Sequence, residues 1–324
     1  MRSIMLTELI NKLVIEIENY LCARFDKNWT DFLLMPGYSD VWITALVVTL
    51  TESTSNKELI ELRSVAFDNL DSYAKSNDYC VGYNKFTPPD CDSSIWLARS
   101  YQSMRRNIPE KLIHFINNHR IPNQNKCSTY IISDGIAEFI GLENRQVNGW
   151  YSSHDCVELN YHAIHSYLLG QDDESDFLNN NSIFSSYWWP TDAYLICFDA
   201  KKSTSFDTMM IEHSSTFINS FENLVAINKL SKPRNFVELI NIINRAKSYA
   251  VNDDQIIRLS YLIDQFISDP CEHSWMILPM PDHENRDKQA KWDLNGLVQG
   301  AALPDVNGVF SSSLLLSLCH SFNI

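Results

Sequence analysis

Apolar residues recur every three to four positions between Leu6 and Phe25, at Leu9, Ile10, Leu13, Val14, Ile17 and Leu21. That period predicts an amphipathic helix. A different pattern follows a loop at Pro36-Gly37. Ser39-Asp40 opens a stretch, Val41 to Leu50, that is apolar nearly all round, which predicts a helix buried on every side. Asn56 to Ser76 returns to a single apolar stripe. The alternation continues along the chain. Helical stretches are predicted from Ile95, over Pro109 to Asn117 and over Ser128 to Ile140. Others are Cys156 to Leu169, Ala193 to Phe198, Phe206 to Leu230, Phe236 to Tyr249, Asp253 to Ile267 and Phe310 to Cys319. Ser268 to Asn307 is polar and proline-containing and reads as a long loop crossing one face. No stretch alternates with the period of a strand, so the chain is predicted to be all-α.

The nearly all-apolar helices begin near Ser39, Ser93, Ser153, Thr191, Phe221 and Ser311. Six buried helices inside a ring of amphipathic ones is the layout of an (α/α)6 toroid. An open array of helical hairpins is the alternative. The expectation is one domain over residues 1–324.

Composition narrows the partners. A hydrophobic content of 45% supports a large core. A formal charge of −14 argues against nucleic acid, whose phosphates need a basic face, and against charge-driven docking on anionic lipid. The first residues form an amphipathic helix rather than a signal peptide. No uncharged apolar run is long enough to insert stably in a membrane. The eight cysteines are scattered, with no C-x-x-C pair, which suggests free thiols in a reducing compartment and a cytoplasmic protein. Nothing in the sequence bears on oligomeric state.

The candidate chemistry centres on Pro88-Pro89-Asp90-Cys91-Asp92-Ser93-Ser94. The prolines fix an extended approach, and Ser93 or Ser94 can cap the helix that follows. Asp90 and Asp92 therefore stand at a helix start. Two anions that close cannot both ionise freely, so one pKa should rise, and a carboxylic acid kept protonated is a proton donor. Taken alone, the pair also reads as an acidic N-cap favoured by the helix dipole.

The motif resembles the aspartate-rich acid motif of the class II terpenoid cyclases, the squalene-hopene and copalyl-type enzymes. That motif reads Asp-x-Asp-Asp followed by Thr or Ser, and its middle aspartate protonates an alkene or epoxide. The middle position falls on Asp92 and the first on Asp90, while Ser93 replaces the last aspartate. The Gln-Trp repeats of the large triterpene cyclases are absent as such. The resemblance implies one toroid and a protonation-initiated cyclase or isomerase acting on a small hydrophobic substrate, an apolar polyene or prenylated intermediate, in specialised metabolism. His154 is expected beside Asp92, where the family has an acid-assisting histidine.

In such a toroid the inner-helix N-termini converge. Tyr38, Trp42, Trp96, Tyr187, Trp188, Trp189, Tyr194, Phe221 and Phe310 would then wall the substrate cavity. Aromatic faces attract a carbocation without supplying a nucleophile. Asp269, Cys271 and His320 loosely resemble the zinc ligands of protein prenyltransferase β subunits, but spacing alone is weak support. No metal or cofactor is expected, and magnesium would enter only with a diphosphate substrate. The alternative function is a diverged toroid that shelters a hydrophobic ligand or a partner protein, a reading favoured by Ser93.

Overall fold

The computed structural model describes residues 2–34, 36–121, 127–147, 150–151, 188–189, 231–247, 251–278 and 301–321, with Val157, Asn160, Tyr161 and Ile164 as single positions. In chain order the described elements begin with α1 (Arg2–Ala23), β1 (Asp31–Leu34), β2 (Gly37–Ser39), α2 (Trp42–Leu50), α3 (Lys57–Ser76), α4 (Cys91–Ser103), α5 (Glu110–Asn118) and α6 (Ile136–Ile140). They continue with β3 (Trp188–Trp189), α7 (Ser231–Lys247), α8 (Asp253–Ser268), β4 (Trp275–Leu278), β5 (Ala301–Pro304) and α9 (Val309–His320).

Two kinds of helix stand out. α1 buries one stripe, Leu6, Ile10, Leu13, Ile17 and Leu21. α3 buries Leu59, Ala66, Phe67, Leu70 and Ala74, and α8 buries Ile256, Leu259, Leu262, Ile263 and Phe266. Each such large side chain contributes roughly 2 kcal/mol by leaving water. Differences in helix propensity are only tenths of that, so the stripe decides how each helix lies. α2, by contrast, is buried at every residue but Thr49. α4 is buried except at Arg99 and Gln102, and α9 except at Ser317 and His320.

Packing sorts them into two layers. Inner helix α2 lies between α4 and α9, while α1 packs against α3 on one side and α8 on the other. The last inner helix therefore sits beside the first, as a closing ring requires. Polar contacts fasten this junction across the length of the chain. Asn307 Nδ2 donates to Thr30 O at 2.9 Å, its backbone N–H to Asp31 Oδ1 at 2.9 Å, and Phe310 N–H to Asp31 Oδ2 at 3.0 Å. Gly308 makes the turn into α9 at φ +60°, where an added Cβ would meet Pro270 O at 2.4 Å, so only glycine fits.

Arg63 shows how the outer layer grips the inner one. From α3 it reaches inward, donating from Nε to Val48 O at 2.6 Å and from Nη2 to Ser103 O at 2.9 Å. These carbonyls end α2 and α4, where the helix dipoles are negative. Arg63→Met would take the guanidinium from both and leave Val48 O with the longer bond from Ser103 Oγ at 3.3 Å, and we expect a loss of ~2 kcal/mol. The readout is the urea midpoint at unchanged m-value. An unmoved midpoint would show that the carbonyls find other partners.

The strands depart from expectation. The Asn28–Tyr38 loop contains an antiparallel hairpin, β1 with β2, and β3, β4 and β5 form a second small sheet in that order. The loop expected over Ser268 to Asn307 contains β4 and β5. Strands of two to four residues are too short to show a period, and their partners are distant in sequence. The helix expected over Ser128 to Ile140 is reduced to a 3-10 turn at Ile132–Asp134 and the short α6, because Gly135 takes a left-handed φ of 75° between them. The predicted helices between Cys156 and Leu230 lie largely or wholly outside the described residues.

Candidate active site

The loop from Val81 to Pro88 sets the acid motif in place. Asp90 N–H donates to Val81 O at 3.0 Å, and Ser94 Oγ donates to the same carbonyl at 3.3 Å. Trp42 N–H donates to Tyr83 O at 3.3 Å, and Ser39 Oγ to the same oxygen at 3.2 Å. One loop thus holds the starts of both α2 and α4. Asn84 stiffens it, accepting from Phe86 and Thr87 N–H through Oδ1 and donating from Nδ2 to Tyr38 O. At Gly82 an added Cβ would meet Pro88 O at 2.2 Å, so the loop closes only with glycine there.

α4 begins earlier than expected. Its cap is Asp90, not Ser93 or Ser94. Asp90 Oδ1 accepts from Ser93 N–H at 2.7 Å and Oδ2 from Ser93 Oγ at 2.8 Å. The carboxylate outcompetes a hydroxyl as a cap because it bonds both groups of Ser93 and complements the dipole. The serine in place of the family's last aspartate is thereby turned onto Asp90.

Asp92 lies in the first turn of α4 and has a close hydrogen-bond donor on one oxygen only. Trp42 Nε1 donates to Oδ2 at 2.9 Å. Oδ1 is buried and has no hydrogen-bond partner. Trp42 stacks on Phe310 with ring centres 5.6 Å apart and 14° between planes, and Phe32 meets both rings edge-on at 6.2 and 5.4 Å. The structure therefore brings together Asp92, Trp42 and Phe310, from the N-termini of α4, α2 and α9. Trp96, one turn beyond Asp92, is also buried, under the guanidinium of Arg99 at 4.5 Å. Arg99 Nη1 donates to Asn160 Oδ1 at 2.6 Å.

Two effects oppose at the carboxyls. The helix dipole and nearby donors favour the anion, while burial favours the neutral acid. Burial wins at both. It pushes Asp92 up to about 6, against the Trp42 indole, the Asn160 amide and the Arg99 charge. It pushes Asp90 up to about 7, with the charge of Asp92 adding to the rise. Geometry then separates two acids of similar strength. Asp90 uses both oxygens to cap α4, whereas Asp92 keeps one oxygen free beside aromatic faces.

His119 is a feature that sequence reasoning missed. Its ring is buried at the end of α5, with Nδ1 2.9 Å from Phe115 O and Nε2 2.8 Å from Asp134 Oδ2. A positive charge on this ring would lower Asp90 against burial, as a lesser effect than the bonds from Ser93. Asp134 is fixed in turn by Ile131 N–H at 2.7 Å. Neither residue belongs to a motif, and the ring is placed by Phe115 O one turn back together with the distant Asp134.

The remaining expected residues divide clearly. Tyr38 stands apart from the buried aromatics and is 43% exposed on β2. The hairpin's alternation buries its neighbour Ser39 and turns Tyr38 outward. Trp188 and Trp189 form β3, opposite Met276 and Trp275 of β4, and their side chains lie outside the description. His154, Tyr187, Tyr194 and Phe221 fall outside the described residues. Asp269 pairs with Lys232 at 2.5 Å, and His320 faces Glu18 at 3.7 Å. Among the described residues no three His, Cys, Asp or Glu side chains are grouped to hold a metal ion.

Comparison with solved structures matches this architecture over nearly the whole chain. The type II terpene cyclase MstE from Scytonema, without ligand, superposes with a TM-score of 0.67 at 15% identity, covering 97% of this chain and 98% of that one. A variant of MstE holding its substrate, geranylgeranyl dihydroxybenzoate, gives 0.67 at 15% identity, with 97% of each chain covered. A protein from Actinoplanes gives 0.68 at 17% identity, covering 97% of this chain and all (100%) of that one. No family model and no curated protein matches the sequence. The fold is thus that of a type II terpene cyclase.

Proposed function

We propose that the protein is a class II-type terpene cyclase or isomerase in specialised metabolism, and that Asp92 is the acid that starts its reaction. The observation that carries this reading is the Asp92 carboxyl, buried, raised by burial and free at Oδ1, at the meeting point of three inner-helix N-termini. The substrate class is an apolar polyene or a prenylated intermediate, of the kind held by MstE. On this reading the full chain is one (α/α)6 toroid, with His154, Tyr187, Trp188, Trp189, Tyr194 and Phe221 completing the cavity, in a cytoplasmic protein.

The chemistry needs no cofactor. The O–H bond of Asp92 breaks as the π pair of a terminal alkene, or a lone pair on the oxygen of an epoxide, takes the proton. Positive charge then passes along the chain as rings close, faced by Trp42, Phe310 and Phe32, whose rings attract a cation and cannot trap it. Loss of a proton, or capture by water, ends the sequence. The helix start at α4 stabilises the carboxylate left behind.

The test is incubation with a panel of prenyl and polyene compounds, geranylgeranyl dihydroxybenzoate included, read as conversion to products of unchanged mass or of mass raised by one water. A panel that binds with no conversion would favour the sheltering toroid.

A further inference from the structure

A group that the structure bonds to Asp92 is an indole, that of Trp42, while His154, expected beside the acid, lies outside the described residues. An indole N–H can only donate. Of the two oxygens of a neutral carboxyl, the carbonyl oxygen is the better acceptor, so a pure donor selects it. Trp42 Nε1 stands 2.9 Å from Oδ2, while Oδ1 is buried without a partner. Trp42 is itself clamped. It is 3% exposed, stacked on Phe310 and met edge-on by Phe32. Its backbone N–H is tied to Tyr83 O, in the loop whose Val81 O holds Asp90 N–H. Donor and acid are therefore set by one scaffold, and their spacing is not left to a flexible side chain.

We propose that Trp42 is a positioning residue for Asp92: by donating to Oδ2 it confines the transferable proton to Oδ1, the oxygen without a partner, and holds the carboxylate formed when that proton leaves. The inference rests on the reading of Asp92 as the proton donor. In the step itself the Oδ1–H bond breaks and its electron pair stays on the carboxylate. The alkene π pair forms the new C–H bond, and the charge appears on carbon. The Trp42 bond strengthens as Oδ2 gains charge. The proton shed by the final cation restores the acid.

The other groups around Asp92 do not take over this role. Asp90 on the same helix is bonded to Ser93, and its charge would oppose ionisation. Arg99, also on α4, reaches the carboxyl through Asn160. His119 at the end of α5 acts on Asp90, while Tyr130 beyond it and Cys91 are held neutral by burial. Trp42 stands at 2.9 Å from Oδ2 and is the larger of the two side-chain donors that lower Asp92, the Asn160 amide being the other.

The test is Trp42→Phe, which keeps an aromatic ring on Phe310 and removes the N–H. Losing a donor to the anion weakens the acid. Activity falls as pH rises through the pKa of Asp92, so the descending limb of the kcat profile should move up by about one pH unit. The plateau kcat should drop ~10-fold with KM little changed. Trp42→Gln, which restores a donor, should bring the limb back. The infrared carboxyl band of Asp92, identified by its absence in Asp92→Asn, should titrate higher in Trp42→Phe than in the native chain. That measurement needs no substrate. If no compound is turned over, the functional reading fails while the band still decides the role of Trp42. A limb and band unmoved in folded Trp42→Phe overturn the proposal. Should that variant not fold, a native Asp92 carbonyl band at the frequency of an unbonded carbonyl would overturn it equally, and a lowered one would support it.

Discussion

Asp92→Asn should fold as the native chain does and lose ~10³-fold or more in turnover, since a positioned acid supplies that order of catalysis. The amide is nearly the shape of the acid. Its oxygen can accept from Trp42 Nε1 as Oδ2 does, and its NH2 then falls where Oδ1 has no partner. Nothing that holds α4 is lost, and a buried charge is removed. Asp90→Asn should behave differently. Its oxygen can still cap Ser93 N–H, but the second bond, to Ser93 Oγ, must be remade with the amide as donor. We expect part of the activity to survive and stability to fall modestly, by about 1 kcal/mol. The measurement is product formation, at unchanged mass or with one water added, beside thermal unfolding of each variant. Native turnover in Asp92→Asn on a genuine substrate would end the assignment of Asp92 as the acid.

Much of the frame was legible because burial leaves a periodic trace. The stripe of α1 and the unbroken apolar run of α2 told outer from inner helices, and Phe310 to Cys319 announced α9. That Asp90 and Asp92 stand at a helix start was legible as a local pattern. What was not legible depends on contacts between distant residues. The Trp42–Asp92 bond joins positions 50 apart, and Trp42 read alone is one more core aromatic. His119 takes its place from Phe115 O together with Asp134 across a turn. The Asp90 cap displaced Ser93 and Ser94 because a carboxylate bonding both groups of one serine is a stronger cap than either hydroxyl. The exposure of Tyr38 was not legible because the hairpin carrying it is too short to show its alternation.

Mild acid should stabilise this protein. The fold buries carboxyls whose pKa values rise on folding: Asp90 to about 7, Asp92 to about 6 and Asp31 to about 6, each chiefly by burial. Asp305, near Asp31, is also raised well above the usual carboxylate range. Unfolded, such groups titrate near ~3.9. Between those values the folded state binds protons that the unfolded state has released, so the stability of unfolding falls as pH rises and grows as pH falls. The gain begins as the solution is acidified through the pKa of Asp90 and is complete below about pH 4. Glu18 and Asp269 run the other way, being lowered on folding, so their contribution is lost as pH falls through their own range. The maximum should therefore lie near pH 5 (roughly) rather than at neutrality, with a gain over about pH 8 on the order of 5 kcal/mol if the carboxyls titrate independently. Asp31 is the most telling of them. It accepts N–H groups from Asn307 and Phe310 and so joins the first hairpin to the last inner helix, and those bonds keep its rise smaller than burial alone would give. Denaturant unfolding across this range, at fixed ionic strength, measures the slope directly. Asp92→Asn and Asp90→Asn should each flatten it, because each removes one proton from the difference. Stability that is level or rises between about pH 5 and about pH 8 would mean that water reaches these carboxyls, and the dry acid on which the mechanism rests would not exist.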